Sequence, residues 1–194
     1  MNNQNRLDNL NLYLITPDYT GDLPSYLMAL ENSLRQGVKL VQLRSKNLPV
    51  DEYMTLAHQV IDLAHRYNAK VLLSTSLELL KETAADGIHM PSAYAAEFSS
   101  RPAPESTIIS VSCHNQEQLD IANTIAADIA IICPIFKTPS SPRGIPMGWQ
   151  SFATLAKQTS AKAYALGGME LDHYTQSLSH GAYGIAAKRA FWDL

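Results

Sequence analysis

KLVQLRSKN, residues 39–47, decides how the rest of the chain is read. Leu40 to Leu43 is a buried strand interrupted only by Gln42, and the chain then turns through Arg44, Lys46 and Asn47. Polar and cationic side chains at the C-terminal end of an apolar strand stand where parallel α/β folds place their chemistry. Arg44 and Lys46 are two apart, so an extended turn points both the same way, toward an anion. A strand end whose long cations merely reach into solvent has the same local pattern. The neighbouring segments decide between the two.

On both sides of this stretch the pattern alternates between strand and helix. Upstream, residues 12–16 (LYLIT) form a strand, and Leu23, Leu27, Leu30 and Leu34 recur at helical spacing before Gly37, a natural helix stop. Downstream, residues 50–67 read as a helix with Leu56, Val60, Leu63 and Ala64 on one face, followed by a strand at 70–73 closed by Ser74-Thr75-Ser76. Further strands are expected at 86–89, 107–112, 128–133, 162–166 and 183–187. Helices are expected at 77–84, 92–98, 115–126, 149–158, 171–179 and 188–192. Asn115 is a good N-cap, with Glu117 in the first turn. Residues 134–148 form the longest irregular segment, and loops of that length inside a compact domain are usually functional or disordered.

Strict βα alternation demands a parallel sheet, and eight units let it close, so the fold class is α/β, a single minimal (β/α)8 TIM barrel. A doubly wound open sheet is the alternative, and no G-x-G-x-x-G follows the first strand to support it. The expected organisation is a flexible N-terminus, residues 1–10, followed by one barrel over 11–194.

Composition narrows the function classes. The 194 residues are 46% hydrophobic and 17% charged with a formal net charge of −3, enough apolar content for a core and no global field favouring nucleic acid or an anionic membrane. No run approaches the ~18 apolar residues of a membrane span. The leading residues lack the apolar stretch of a signal peptide. The two cysteines, Cys113 and Cys133, are too few for a disulfide framework and too far apart for a C-x-x-C site, so reduced thiols and a cytoplasmic location are expected.

In a barrel the strand ends carry function. Reading them off gives Thr16 and Asp18; Gln42, Arg44 and Lys46; Ser74 and Thr75; His89; Ser112, Cys113 and His114; Thr138 and Ser140; Gly167 and Gly168; and Lys188 and Arg189. Asp18 is the one carboxylate in this inventory. Taken alone, Gly167-Gly168 is a tight turn. After the seventh strand of eight, with Lys188 and Arg189 after the eighth, it reads as a phosphate site. His114 follows the fifth strand beside Ser112, and a histidine there suits proton transfer, although a lone histidine is more often structural. His58, His65, His173 and His180 fall on helices and read as surface.

Taken together, LYLIT, VQLRSKN, ADGIHM, SVSCHN, CPIFKTPSS, ALGG and GAYGIA resemble, in order and spacing, the thiamine phosphate synthase and thiazole tautomerase superfamily. RPAPES, SVSCHN, MGW, ALGG and GIAAKRAFW are most similar to the synthase-like domain that some bacteria fuse behind a Nudix hydrolase. The resemblance implies a minimal barrel binding a small phosphorylated thiazole or pyrimidine. It implies that Gln42, Arg44 and Lys46 match a Q-x-R-x-K pyrophosphate grip. Thr138 and Ser140 match a hydroxyl-bearing loop that closes on ligands, and Gly167 and Gly168 a phosphate cradle. Ser74, His89 and Ser112 complete the substrate-binding set. Members of the family are often dimers, which leaves a homodimer open, and a non-catalytic member would bind thiamine intermediates or serve a separate Nudix partner.

Two departures from the synthase pattern bear on activity. The synthases carry Asn-Asp where this chain has Ser74-Thr75, and a second Asp where it has Tyr94; those carboxylates hold Mg2+. The expectation is therefore a metal-independent, tautomerase-like member with His114 as catalytic acid/base, no metal ligands and no cofactor. An active synthase, which alone would need Mg2+, and a non-catalytic ligand-binding member remain open.

Overall fold

A computed structural model describes residues 7–138 and 144–192. Eight parallel strands bond in sequence order and close into a barrel: β1 (Leu12–Ile15), β2 (Leu40–Leu43), β3 (Lys70–Leu73), β4 (Gly87–Met90), β5 (Ile108–Cys113), β6 (Ile129–Ile132), β7 (Lys162–Leu166) and β8 (Gly184–Ala187). Between and after them come α1 (Leu23–Arg35), α2 (Val50–Arg66), α3 (Leu77–Leu80), α4 (Ser92–Ala95), α5 (Gln116–Thr124), α6 (Gly148–Ala156), α7 (Tyr174–Ser179) and α8 (Arg189–Trp192). The expected (β/α)8 barrel is what the chain forms. Among the described residues no helix is long and apolar enough to cross a membrane.

The chain makes two compact units, one reaching Ile88 and resuming at Lys188, the other spanning His89–Ala187. In the first, α1 starts where Asp22 accepts the Ser25 N–H at 3.1 Å, and Leu30 and Leu34 on its inner face are buried. Acidic Asp51 and Glu52 open α2 and His65 and Arg66 close it, both matched to the helix dipole, while Leu56, Val60, Leu63 and Ala64 are buried as their spacing predicts. Leu7 and Leu10, placed by sequence in the polar leading segment, are buried as well.

In the second unit, Asn115 caps α5 by accepting the Gln118 N–H at 3.0 Å. The expected 171–179 helix is divided into a 3-10 turn, Leu171–His173, and α7, because the His173 ring accepts the Glu170 N–H at 3.0 Å and fixes a separate first turn. His173 and His180, expected at the surface, are half-buried and lie against Phe136 (5.2 Å between ring centres) and Trp149 (5.2 Å, stacked).

Strands β4, β6 and β8 are entered in a common way. Asp86 gives its N–H to the Val71 carbonyl (2.9 Å) and accepts the Val71 N–H on Oδ2 (2.9 Å). Asp128 does the same with Ile109, at 2.9 and 2.8 Å. Each carboxylate also holds a cation, Lys70 at 2.7 Å and Arg101 at 2.8 Å. Before β8 the corresponding residue is Tyr183, whose N–H reaches the Ala163 carbonyl (2.7 Å) and whose ring lies 4.4 Å from the Lys162 ammonium. Because Asp86 is committed to these bonds, β4 begins at Gly87; it ends at Met90, one residue beyond the expected end.

Candidate functional site at the strand ends

Where β1 and β2 end, one carboxylate gathers three donors. Asp18 Oδ2 lies 3.3 Å from Arg44 Nη1 and 3.8 Å from Lys188 Nζ, and Oδ1 accepts the Lys46 N–H at 3.1 Å. Partial burial disfavours the charged carboxyl, but the Lys46 N–H and the Arg44 and Lys188 charges outweigh it and hold the group below its ordinary value. Thr16, fully buried, accepts the Arg44 N–H at 3.0 Å and fixes the turn that presents the guanidinium. Ser45 accepts the Tyr19 N–H at 3.0 Å and ties the same two loops again.

Gln42 is the exception in an otherwise apolar strand and is 2% exposed. Its Nε2 donates to Ser74 Oγ at 2.8 Å, while Oε1 is buried with no partner. An unpaired buried carbonyl costs about 1–3 kcal/mol. The structure thus brings together Gln42 and Ser74, two residues that the sequence placed on separate strand ends. Tyr53, from α2, supports them: its hydroxyl donates to the Leu43 carbonyl (3.0 Å) and accepts the Ser74 N–H (3.0 Å). Tyr53→Phe is expected to lose about 1 kcal/mol, lowering Tm by about 2–4 °C in thermal unfolding.

In the second unit His89 is 7% exposed, with Nδ1 3.0 Å from Ser110 Oγ and Nε2 2.9 Å from Ser112 Oγ. Ser112 therefore serves His89 rather than His114. The partner of His114 lies on a residue expected only as a reduced thiol: its Nδ1 lies 2.8 Å from the Cys133 carbonyl. A carbonyl can only accept, so Nδ1 carries the hydrogen and Nε2 is left as the acceptor on an exposed ring. The Gln118 side chain holds the His114 N–H at 2.8 Å. Both thiols are uncharged at neutral pH: burial pushes Cys113 up to about 12, aided by Cys133, and burial alone pushes Cys133 up to about 12.

Gly167 and Gly168 have φ of +108° and +68°, and a Cβ on Gly167 would meet Pro134 Cα and Ile135 N at 2.9 Å. Both glycines let the loop after β6 lie against the end of β7, where Ile135 and Phe136 donate to the Leu166 and Gly167 carbonyls at 2.9 and 3.1 Å. Thr138 is half-buried in that loop, and Ser140 lies outside the described residues. Arg189 is exposed at the start of α8, and Lys188 joins Asp18 as described. A cavity of about 300 Å³ lined by Tyr19, Leu23, Asp51, Glu52 and Leu56 belongs to the surfaces of α1 and α2 and holds none of the predicted site residues.

Fold and strand-end chemistry define the class: a parallel α/β barrel that carries its polar and charged residues where its strands end. The chain belongs to the thiamine monophosphate synthase family, whose model matches residues 12–191. A protein of Aquifex aeolicus provisionally named thiamine-phosphate synthase 2 is 32% identical over 87% of this chain and 91% of its own length. The thiamine-phosphate synthase of Dictyoglomus turgidum is 30% identical over 96% of this chain and 86% of its own. Among solved structures, thiamine phosphate pyrophosphorylase from Pyrococcus furiosus shares the fold, with a TM-score of 0.78 at 21% identity over 96% of this chain and 89% of that one.

Proposed function

We propose that this member of the family binds a phosphorylated thiazole and shifts a proton on it with His114, as a metal-independent isomerase. The observation that carries this reading is the orientation of His114: with its Nδ1 hydrogen committed to the Cys133 carbonyl, the exposed Nε2 is the atom available to take a proton and return it. Taking a proton from one position of a thiazole carboxylate phosphate and returning it at another leaves the atom count unchanged and needs no co-reactant. Gly167 and Gly168 are assigned to one anionic group of the ligand, and Gln42, Arg44, Lys46, Ser74, Lys188 and Arg189 to the other.

The synthase reaction needs the charge of a leaving pyrophosphate neutralised, by Mg2+ in the synthases this chain resembles. The positions that would supply carboxylates are Ser74, Thr75 and Tyr94, and Asp18 is already engaged by two cations. Among the described residues no three His, Cys, Asp or Glu converge as a metal set. This donor set does not fit a hard divalent cation, which takes carboxylate oxygens first. No step here runs through one.

The names of the relatives favour a second reading, thiamine phosphate synthase, which joins a pyrimidine diphosphate to a thiazole phosphate. Purified protein given each substrate set, with Mg2+ or with EDTA, separates the two readings. Isomerisation of the thiazole carboxylate phosphate that is unaffected by EDTA is the expected result. Mg2+-dependent thiamine phosphate formation would establish the second reading instead, and thiazole phosphate binding without any turnover would make the protein a ligand-binding member.

A further inference from the structure

We propose that Asp18 is a built-in competitor for the anion seat formed by Arg44, Lys46 and Lys188, so that a phosphate or pyrophosphate group enters by displacing this carboxylate. The inference rests on the reading above that these cations hold an anionic group of the ligand. It adds that the free protein already carries an anion there, its own.

The donor pattern carries the argument. A guanidinium at 3.3 Å, an ammonium at 3.8 Å and a backbone N–H at 3.1 Å, drawn from two separate segments of chain, converge on a single carboxylate. Two cations and an N–H spread over the oxygens of one anionic group is how proteins bind a phosphate. The group that occupies the position is not part of the core: the Asp18 side chain is 34% exposed, and those of Arg44 and Lys188 are 30% and 37% exposed, so solvent and ligand reach all three. Asp18 lies in the loop between β1 and α1, which turns through Gly21 at φ +104°. The loop has its own anchor on the seat, the Tyr19 N–H to Ser45 Oγ bond, and this bond does not involve the carboxylate.

Partly exposed ion pairs of this length are weak, whereas a phosphate presents more charge and more acceptor oxygens to the same donors. Asp18 is thus weak enough to yield to a phosphate ester. A carboxylate that served instead to orient Arg44 for the ligand would have the opposite signature, since its removal would weaken binding.

Calorimetric titration with inorganic pyrophosphate and with orthophosphate, on wild type, Asp18→Asn and Asp18→Asn/Arg44→Gln, tests this. Asparagine keeps an acceptor for the Lys46 N–H while removing the charge, and Asp18→Ser, also able to accept, provides a second variant; thermal unfolding reports the folded state of each. The expected result is pyrophosphate binding about fivefold to tenfold tighter in Asp18→Asn than in wild type at equal ionic strength, with the gain abolished by adding Arg44→Gln. Equal or weaker binding in the Asp18 variants than in wild type overturns the competitor role and leaves the anion seat standing. Absence of binding in wild type and variants alike overturns the seat itself, and the inference with it.

Discussion

His114→Asn is expected to lower the rate of proton transfer on the thiazole substrate by about 10²–10⁴-fold while leaving the affinity for thiazole phosphate within a few-fold of wild type. Asparagine is the informative replacement because its Nδ2 occupies the place of the imidazole Nδ1 and can still donate to the Cys133 carbonyl, 2.8 Å from that nitrogen. The exposed acceptor at Nε2 disappears and little else changes, since the backbone at position 114 is held independently by Gln118 at 2.8 Å. The measurement is solvent deuterium exchange into the thiazole carboxylate phosphate, alongside direct binding. A variant that exchanges as fast as wild type would remove His114 from the mechanism. One that loses both exchange and binding would make His114 a ligand contact rather than a proton carrier.

Gly167→Ala is expected to destabilise the protein by about 3 kcal/mol, a fall in Tm of about 6–12 °C. Two costs add. At φ +108° an L-residue is strained, and the new Cβ would stand 2.9 Å from the backbone of Pro134 and Ile135, atoms that cannot swing aside as a side-chain tip would. Gly37→Ala separates the two costs, because Gly37 has a similar φ of +99° with nothing within 4 Å of the added carbon. It should lose only about 1–2 kcal/mol, the backbone part alone. Equal losses at the two positions would show that the loop after β6 yields freely to the end of β7.

Position 167 also shows what one sequence can and cannot disclose. Its glycines stood out because they close the seventh strand, and phosphate binding was the reading that followed. The structure adds a packing reason, the loop of Pro134 to Phe136 lying directly against them. That reason depends on residues more than thirty positions away, and no periodicity encodes it. Element order was legible because apolar spacing is local: the strands at 70–73 and 162–166 and the start of α2 at Val50 fall where their patterns place them. Ends were less so, since they depend on side chains committed elsewhere, such as Asp86 before β4 and the His173 ring before α7.

Within the site the identities of the polar residues were readable but not their pairing. Ser112, placed in the substrate-binding set and beside His114 in sequence, pairs with His89. Cys133 was set aside as a thiol, and its contribution is a main-chain oxygen, which no side-chain inventory contains. Gln42 with Ser74, and Asp18 with Arg44 and Lys188, are contacts across the barrel's strands that only the parallel register creates.

The shared entry to β4, β6 and β8 has a consequence for how such a chain could have arisen. The residues just before these strands sit in related local sequences, AADGI, AADIA and GAYGI; all three give their N–H to the preceding strand and meet a cation, on a carboxylate twice and on the Tyr183 ring the third time. A barrel assembled from a duplicated two-strand module would leave such a trace, a common hinge pin repeated at the end of the strands opposite the chemistry. Copies that share their mechanical end are free to differ at the other. Above this shared entry the strand ends differ, one carrying a buried His89 and the other a loop that orients His114.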